Sequence, residues 1–351
     1  MTAAALAACC AYSAGILGHV APQSWRPIDA APVSSAGQAA DGSRTSDLGA
    51  PLTGGRMFGV AIAGNALPRW YRGTHVKPQM LMTFQSWGAP LRRDRMPTAL
   101  LRQDQRVGVH AQMITWQPWT PPPVHSPVSV QDAIQPRFSN AAIAAGLQDS
   151  YIRRWASAIG RFPKIRVWIR FGHEMNGDWY PWSHDPAAYV AAWRHIVLIF
   201  RLLNVTNARF VWSGNWAVGA PTAAWQQQVM AYWPGRRYVS AIGTTMINFG
   251  VAGHTHPVSQ FIPHIELMHR LLHEPVMLTE VNTERQGRVA WMLDLARFAA
   301  RTPWLKAIVL SQLPSFGAAQ FATSNLAWNV SEHQGPRVLA AFRTLVESTV
   351  G

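Results

Sequence analysis

The chain has 351 residues, 48% of them apolar, which is enough for one large α/β barrel or two ordinary domains. Its formal net charge is +14, with arginine far outnumbering lysine and scattered rather than gathered into a run. A basic excess suits nucleic acid, an anionic membrane or an acidic glycan, but no nucleic-acid motif accompanies this one, so nucleic-acid binding is not expected and compositional drift is a source for part of the charge. Seventeen tryptophans are a heavy use of that residue, and carbohydrate-active proteins are one class that shows it. Both cysteines, Cys9 and Cys10, lie near the start, so the body carries neither disulfides nor thiol chemistry.

Residues 1–25 carry no charge and are mostly small or apolar. They resemble a signal sequence without its basic leading region, and the run Leu6-Ala7-Ala8-Cys9 resembles a bacterial lipoprotein cleavage box. Ser13, His19, Gly15 and Gly18 argue against a transmembrane helix. Residues 26–55 are rich in Ala, Ser, Gly, Pro and Asp without apolar periodicity, and read as a flexible linker. The folded body is expected over 56–351. This organisation predicts a secreted, periplasmic or cell-surface monomer, with a possible membrane tether through acylated Cys9.

From residue 56 apolar runs alternate with amphipathic ones. Strands are predicted at 57–63, 79–85, 109–115, from 165 to the HEMNG run, 209–213, 238–246, 275–279 and 307–312. Helices are predicted near 141–161, 186–203, 258–272, 287–300 and 335–347. In the second, Val190, Trp193, Val197 and Phe200 recur at helical spacing. A Pro-rich loop spans 120–136. Eight strands separated by helix-length connections imply parallel pairing with helical crossovers. No Gly-rich dinucleotide fingerprint follows the first strand, so a (β/α)8 TIM barrel is favoured over an open doubly wound sheet.

A barrel of this kind carries its active site at the C-terminal ends of its strands. Those ends hold Trp87, Trp116, Trp119, Glu174, Asn176, Asn215, Trp216, Glu280 and Asn282. The densest cluster is RFGHEMNGDWYPW, residues 170–182, where a β-branched strand breaks into His173, Glu174 and Asn176 and then Trp179, Tyr180 and Trp182. A carboxyl that moves protons, an amide that holds a hydroxyl and aromatic faces that stack on sugar rings suit an enzyme acting on glycans. Asn176 is the candidate for a sugar hydroxyl. Trp116, Trp119, Trp179 and Trp182 are candidate stacking platforms, with burial in the core as the competing reading. His173 is placed to hydrogen-bond either carboxylate or to bridge the rim structurally.

The segment RFGHEMNGDWYPW is similar to the acid/base motif of glycoside hydrolase family 26, a family of β-mannanases and β-glucanases. The similarity extends in order to MITWQPW (113–119), FVWSGNW (210–216), YWPGRRYVSAIG (232–243) and PVMLTEVN (275–282), and so covers roughly 57–345. It implies a (β/α)8 barrel that cleaves β-glycosidic bonds with retention, with Glu174 as acid/base and Glu280 as nucleophile. His173, Asn176, Arg170 and Trp179 would support them. A retaining pair needs its carboxyls about 5–5.5 Å apart, which residues so distant in sequence reach only if the fold gathers strand ends. Burial and the Glu280 charge are expected to raise the Glu174 carboxyl, and Arg170 to keep Glu280 ionised.

The chain departs from the family where the sixth strand ends TTMINFG, with Ile247 and Phe249 in place of an aromatic hydroxyl, and where the eighth leads into SQLPSFG, with Phe316 as the nearest aromatic. Both changes fall around the sugar to be cleaved. The expected function is a retaining endo-β-glycanase acting on β-mannan, β-glucan or a bacterial exopolysaccharide, without a cofactor. The alternative is a non-catalytic barrel that binds polysaccharide during exopolysaccharide production. His254 with His256, and His269 with His273, are the nearest approaches to a metal frame, but no H-E-x-x-H run is present and no metal is expected.

Overall fold

A computed structural model of the chain describes residues 55–62, 66–88, 97–120, 136–249, 256–285, 287–312 and 335–350. The leader, the linker, Cys9, His254, Phe316 and most of the Pro-rich loop lie outside these residues. The elements run β1 (Met57–Ala61), α1 (Leu67–Thr74), β2 (Met80–Ser86), α2 (Pro97–Val107), β3 (Ala111–Gln117), α3 (Asn140–Ala144), α4 (Asp149–Gly160), β4 (Arg166–Phe171) and α5 (Pro186–Leu202). They continue through β5 (Ala208–Gly214), α6 (Ala223–Met230), β6 (Ala241–Asn248), α7 (Val258–Leu272), β7 (Val276–Thr283), α8 (Arg288–Ala300), β8 (Leu305–Ser311) and α9 (Pro336–Val350). The strands pair in sequence order, all parallel, and β8 returns to β1 to close a barrel, as the alternation predicts.

Strand alternation divides the core in two. On β4, Val167, Ile169 and Phe171 face the helical layer, while Trp168 faces the lumen with Ala61, Met80, Met82, Met113, Val211, Met277 and Val309. The indole of Trp168 fills the space that small neighbours leave. Gly243 belongs to the same crowding: a Cβ there would lie 2.6 Å from Thr279 Cγ2 and 2.9 Å from Val211 Cγ1. Outside the barrel, α5 shows how the helices dock. Asp185 accepts from the Ala188 N–H at 2.9 Å, Pro186 opens the helix, and Tyr189, Trp193, Ile196, Val197 and Phe200 form the buried stripe.

Three boundaries differ from the sequence expectation for physical reasons. The single helix expected over 141–161 is two, because Gly146 turns into the left-handed region at φ +83° and α4 restarts at Asp149. The sixth strand begins at Ala241, since Arg236–Tyr238 forms a turn of 3-10 helix. The seventh does not stop before Glu280 but continues to Thr283 through a bulge. The connections left unassigned before the second, third and sixth strands contain α1, α2 and α6.

Candidate active site

The site is one step further up the lumen. Thr115, Arg170, Ser213, Thr245 and Thr279 each stand two residues beyond a lumen position on their own strand, so the alternation that aims Met113, Trp168, Val211 and Met277 inward aims these polar groups inward too. They meet around Arg170, which is fully buried. Its Nε donates to Ser213 Oγ at 3.0 Å, its Nη2 to Thr245 Oγ1 at 3.0 Å, and its Nη1 to Thr115 Oγ1 at 3.5 Å and Glu280 Oε2 at 3.3 Å. A guanidinium has only donors, so the hydroxyls it binds must pass their own protons onward. Thr245 passes its proton to Glu174 Oε1 at 2.5 Å. The Ser213 hydroxyl meets Thr279 Oγ1 at 3.1 Å, and Thr279 donates to the Thr244 carbonyl at 3.0 Å. Arg170 and Thr245 thereby join the two carboxylates in one buried network.

Each carboxylate reaches the network through a backbone irregularity. After β4 the chain takes left-handed conformations at Gly172 (φ +48°) and at Glu174 itself (φ +54°). For a glutamate that conformation costs on the order of 1 kcal/mol and persists only where the surroundings hold it. They do: the Glu174 N–H donates to the Ser213 carbonyl at 2.7 Å, and the Trp179 indole donates to Glu174 Oε2 at 3.1 Å. Trp182 donates to the His173 carbonyl at 2.8 Å, and Asn140 in turn donates to the Trp182 carbonyl at 2.9 Å. On β7 one extra residue shifts the register against both neighbours, so Thr245 pairs with Glu280 where Thr279 would be due. The bulge lets Thr279 and Glu280 serve the same network.

Burial pushes the Glu280 carboxyl from 4.5 up to about 7; the Arg170 guanidinium pulls it down, and the Glu174 charge adds to the rise. The expectation that Arg170 would hold Glu280 ionised is therefore corrected: desolvation outweighs the single 3.3 Å contact. His173 stays neutral, because burial and then the Arg170 charge hold its imidazole well below the usual range. Its ring packs on Tyr180 at 4.8 Å and its Nδ1 has no hydrogen-bond partner. The structure gives it the rim-bridging place rather than a bond to a carboxylate.

Beside the network opens a cavity of about 560 Å³. Trp179, Asn215, Trp216 and Thr245 line it, as do Ile247 and Phe249 at the end of β6. Asn176 reaches its wall, but the amide is occupied: Nδ2 donates to the Asn215 carbonyl at 2.7 Å and Oδ1 accepts from the Asn215 N–H at 2.8 Å. Asn176 thus shapes the loop that presents Asn215 rather than offering a free amide to a sugar. Three expected stacking platforms are corrected. Trp116 is buried against Trp87 at 4.7 Å and Trp155 at 5.5 Å under the helical layer. Trp119 and Trp182 are buried edge to face at 5.6 Å, with Tyr180 stacked on Trp182 at 4.2 Å. Indoles so enclosed by aromatic neighbours have no face left for a ligand. Asn282 is buried too, its amide donating to the Ser311 carbonyl. Trp225 and Tyr232, to which the sequence reading gave no role, line the same cavity from α6 and the turn after it, and His256, weighed there only as a metal ligand, lines it from just before α7. Among the described residues no group of three or more His, Cys, Asp or Glu could hold a metal ion.

The barrel fold is shared by solved structures of known enzymes. A family 26 β-mannanase from Bacteroides ovatus superposes with a TM-score of 0.54 at 14% identity, covering 85% of this chain and 90% of that one. A family 26 endo-β-1,4-mannanase from Bacillus sp. JAMB-750 gives 0.57 at 14% identity, over 84% and 86%. The fold is the (β/α)8 barrel that these family 26 enzymes have. An endo-1,4-β-xylanase from Penicillium canescens also superposes, at 0.55 and 10% identity over 84% and 93%, so the barrel does not by itself name a sugar. In sequence the chain is 27% identical over 247 residues to endoglucanase H of Acetivibrio thermocellus. That match covers 67% of this chain and 24% of the relative, so the chain spans about a quarter of the protein it resembles. No protein-family model matches the chain.

Proposed function

We propose that the chain is a retaining endo-β-glycanase of the family 26 type, hydrolysing β-mannan, β-glucan or an exopolysaccharide. The observation that carries this reading is the buried network in which Arg170 binds Glu280 and, through Thr245, orients Glu174. The reaction requires Glu280 ionised, beside Arg170, and Glu174 carrying the proton it will donate. Glu280 attacks the anomeric carbon while Glu174 protonates the leaving oxygen. Glu174, now ionised, takes a proton from water, which displaces Glu280 and releases the sugar with its original configuration. Trp179 both donates to Glu174 and lines the cavity, so it couples sugar binding to the acid. Trp216 and Trp225 supply apolar walls for further sugar units.

A panel of β-mannan, mixed-linkage β-glucan and acidic exopolysaccharides tests this. Reducing ends should be released from at least one polymer, and neither Glu174→Gln nor Glu280→Gln should release any. Binding without product on every polymer would establish a non-catalytic barrel instead. The leader and linker add a proposal of their own: a monomer tethered outside the cytoplasm by an acyl chain on Cys9. Labelled palmitate should enter the native chain and not Cys9→Ser; equal labelling of both would remove the anchor.

A further inference from the structure

A second cavity, of about 710 Å³, lies at the other end of the barrel, where the strands begin. Its wall takes in the starts of β1, β3, β4 and β5 and the turns that lead to them. Lys77, His110, Lys164, Arg166 and Arg209 line it, and no carboxylate does. Among the described residues, no ion pair engages Lys77, Lys164 or Arg166. The Arg209 guanidinium is fixed at the wall by two bonds of 2.8 Å to the carbonyls of Thr206 and Ala208. The ammonium of Lys77 lies across Gly108, whose φ is +67°, and a Cβ there would come within 2.8 Å of it. A concave wall with four permanent cations gathered on it raises the local potential and favours an anion over a neutral guest.

The two cavities differ in kind. The mouth carries Trp179, Trp216, Trp225 and Phe249, aromatic groups of the kind on which sugar rings stack. The floor has no aromatic besides His110, so bases of a nucleic acid would find no platform. It is also recessed, which a flat bilayer cannot follow. Gln79 and Thr206 add neutral hydrogen-bonding groups between the cations, a mixture that matches a chain bearing both carboxylates and hydroxyls.

We propose that the floor of the barrel is a binding site for an acidic polysaccharide, holding its uronate carboxylates on Lys77, Lys164, Arg166 and Arg209. Guanidinium and carboxylate pair as a two-toothed fork, while the lysines act as point charges. The site stands apart from the cleavage centre and does not depend on its chemistry. It would hold the enzyme on an anionic matrix while the mouth works on the polymer it cleaves.

Affinity electrophoresis of the full chain through gels containing alginate, polygalacturonate or neutral glucomannan reads this directly. Uronate polymers should retard the native chain, and raising the salt should release it. The double variant Lys164→Glu/Arg166→Glu should bind alginate at least roughly tenfold more weakly. Arg102→Glu/Arg343→Glu, which reverses the same charge on exposed helical faces away from the cavity, should change binding much less. Lys77→Glu provides a second variant should the first fail to fold. Release of reducing ends from a neutral substrate should be unchanged in all of them. Equal loss in the control variant would overturn the site as general charge attraction. So would native retention by the floor variants, absence of retardation by either uronate polymer, or binding to phosphatidylglycerol vesicles in place of alginate.

Discussion

Thr245 is the residue whose removal tests the network most sharply. Thr245→Val keeps the shape of the side chain and deletes one oxygen. Two bonds go with it: the 3.0 Å bond from Arg170 Nη2 and the 2.5 Å bond to Glu174 Oε1. A hydrogen bond to a charged group contributes about 1.5–3 kcal/mol, so loss of the bond that aims Glu174 should lower kcat roughly 10- to 150-fold. KM should change little, because the hydroxyl sits under the carboxylate rather than against distant sugar units. The decisive comparison uses two kinds of substrate. A natural polymer leaves as an alkoxide and needs the Glu174 proton; an aryl glycoside with a strongly acidic phenol does not. The variant should therefore be impaired on polymer and nearly normal in the first step on the activated aryl glycoside. Thermal unfolding run alongside guards against a general loss of structure. Equal impairment on both substrates, or full activity on polymer, would refute the assignment of Thr245 as the residue that positions the acid.

The remaining expectations concern burial and charge. Burial lifts the Asp104 carboxyl on α2 from 3.8 to about 7, and its Oδ2 has no partner. The folded chain thus holds a proton that the unfolded chain releases near pH 4, and the stability this gives is complete below that pH and lost as pH rises through 7. Asp104→Asn should leave stability unchanged at pH 4 and raise it by ~2–4 kcal/mol at pH 8 in urea titrations; no gain at pH 8 would show the carboxylate to be satisfied. Glu280 must be ionised to attack, so kcat/KM should rise as pH climbs toward about 7, where its buried carboxyl gives up its proton; a profile flat from about pH 5 to pH 7 would contradict it. Trp116→Ala should cost ~3–5 kcal/mol of stability without raising KM, as a core indole does. Trp179→Phe should lower kcat at little cost in stability, and the reverse pattern in the two variants would exchange their roles.

Period-two alternation made the barrel legible, because eight apolar runs at regular intervals have few other parallel solutions. The cluster at 170–182 was legible for a related reason: ionisable groups abruptly replace β-branched ones where a strand must stop. What stayed hidden depends on phase and register. Thr245 looks like one of two adjacent threonines in its strand until the lumen phase through Gly243 is known, after which its inward aim follows. The bulge on β7 has no glycine or proline to announce it, so Glu280 was placed past a strand end when it lies within one. The left-handed backbone at Glu174 is held by a carbonyl on β5, far away in sequence, and by the 179–182 turn, whose indoles point back only once the chain has folded. The tryptophans show the limit of composition: most of those named at the rim serve the helical layer, and their number alone could not separate a core indole from a sugar platform.

Azide rescue tests the pair most directly, because it reads the role of each carboxylate from the stereochemistry of one product. With an activated aryl β-glycoside of the sugar the enzyme accepts, Glu280→Ala and Glu174→Ala are each incubated with azide and the glycosyl azide is examined by proton NMR. Glu280→Ala leaves a gap at the face where the nucleophile stood, so azide should enter there and give the α-azide. Glu174→Ala keeps the nucleophile, so azide should intercept the glycosyl-enzyme and give the β-azide. The opposite pairing of variant and anomer, or no azide product from either variant of an enzyme active in its native form, would contradict Glu280 as nucleophile and Glu174 as acid/base.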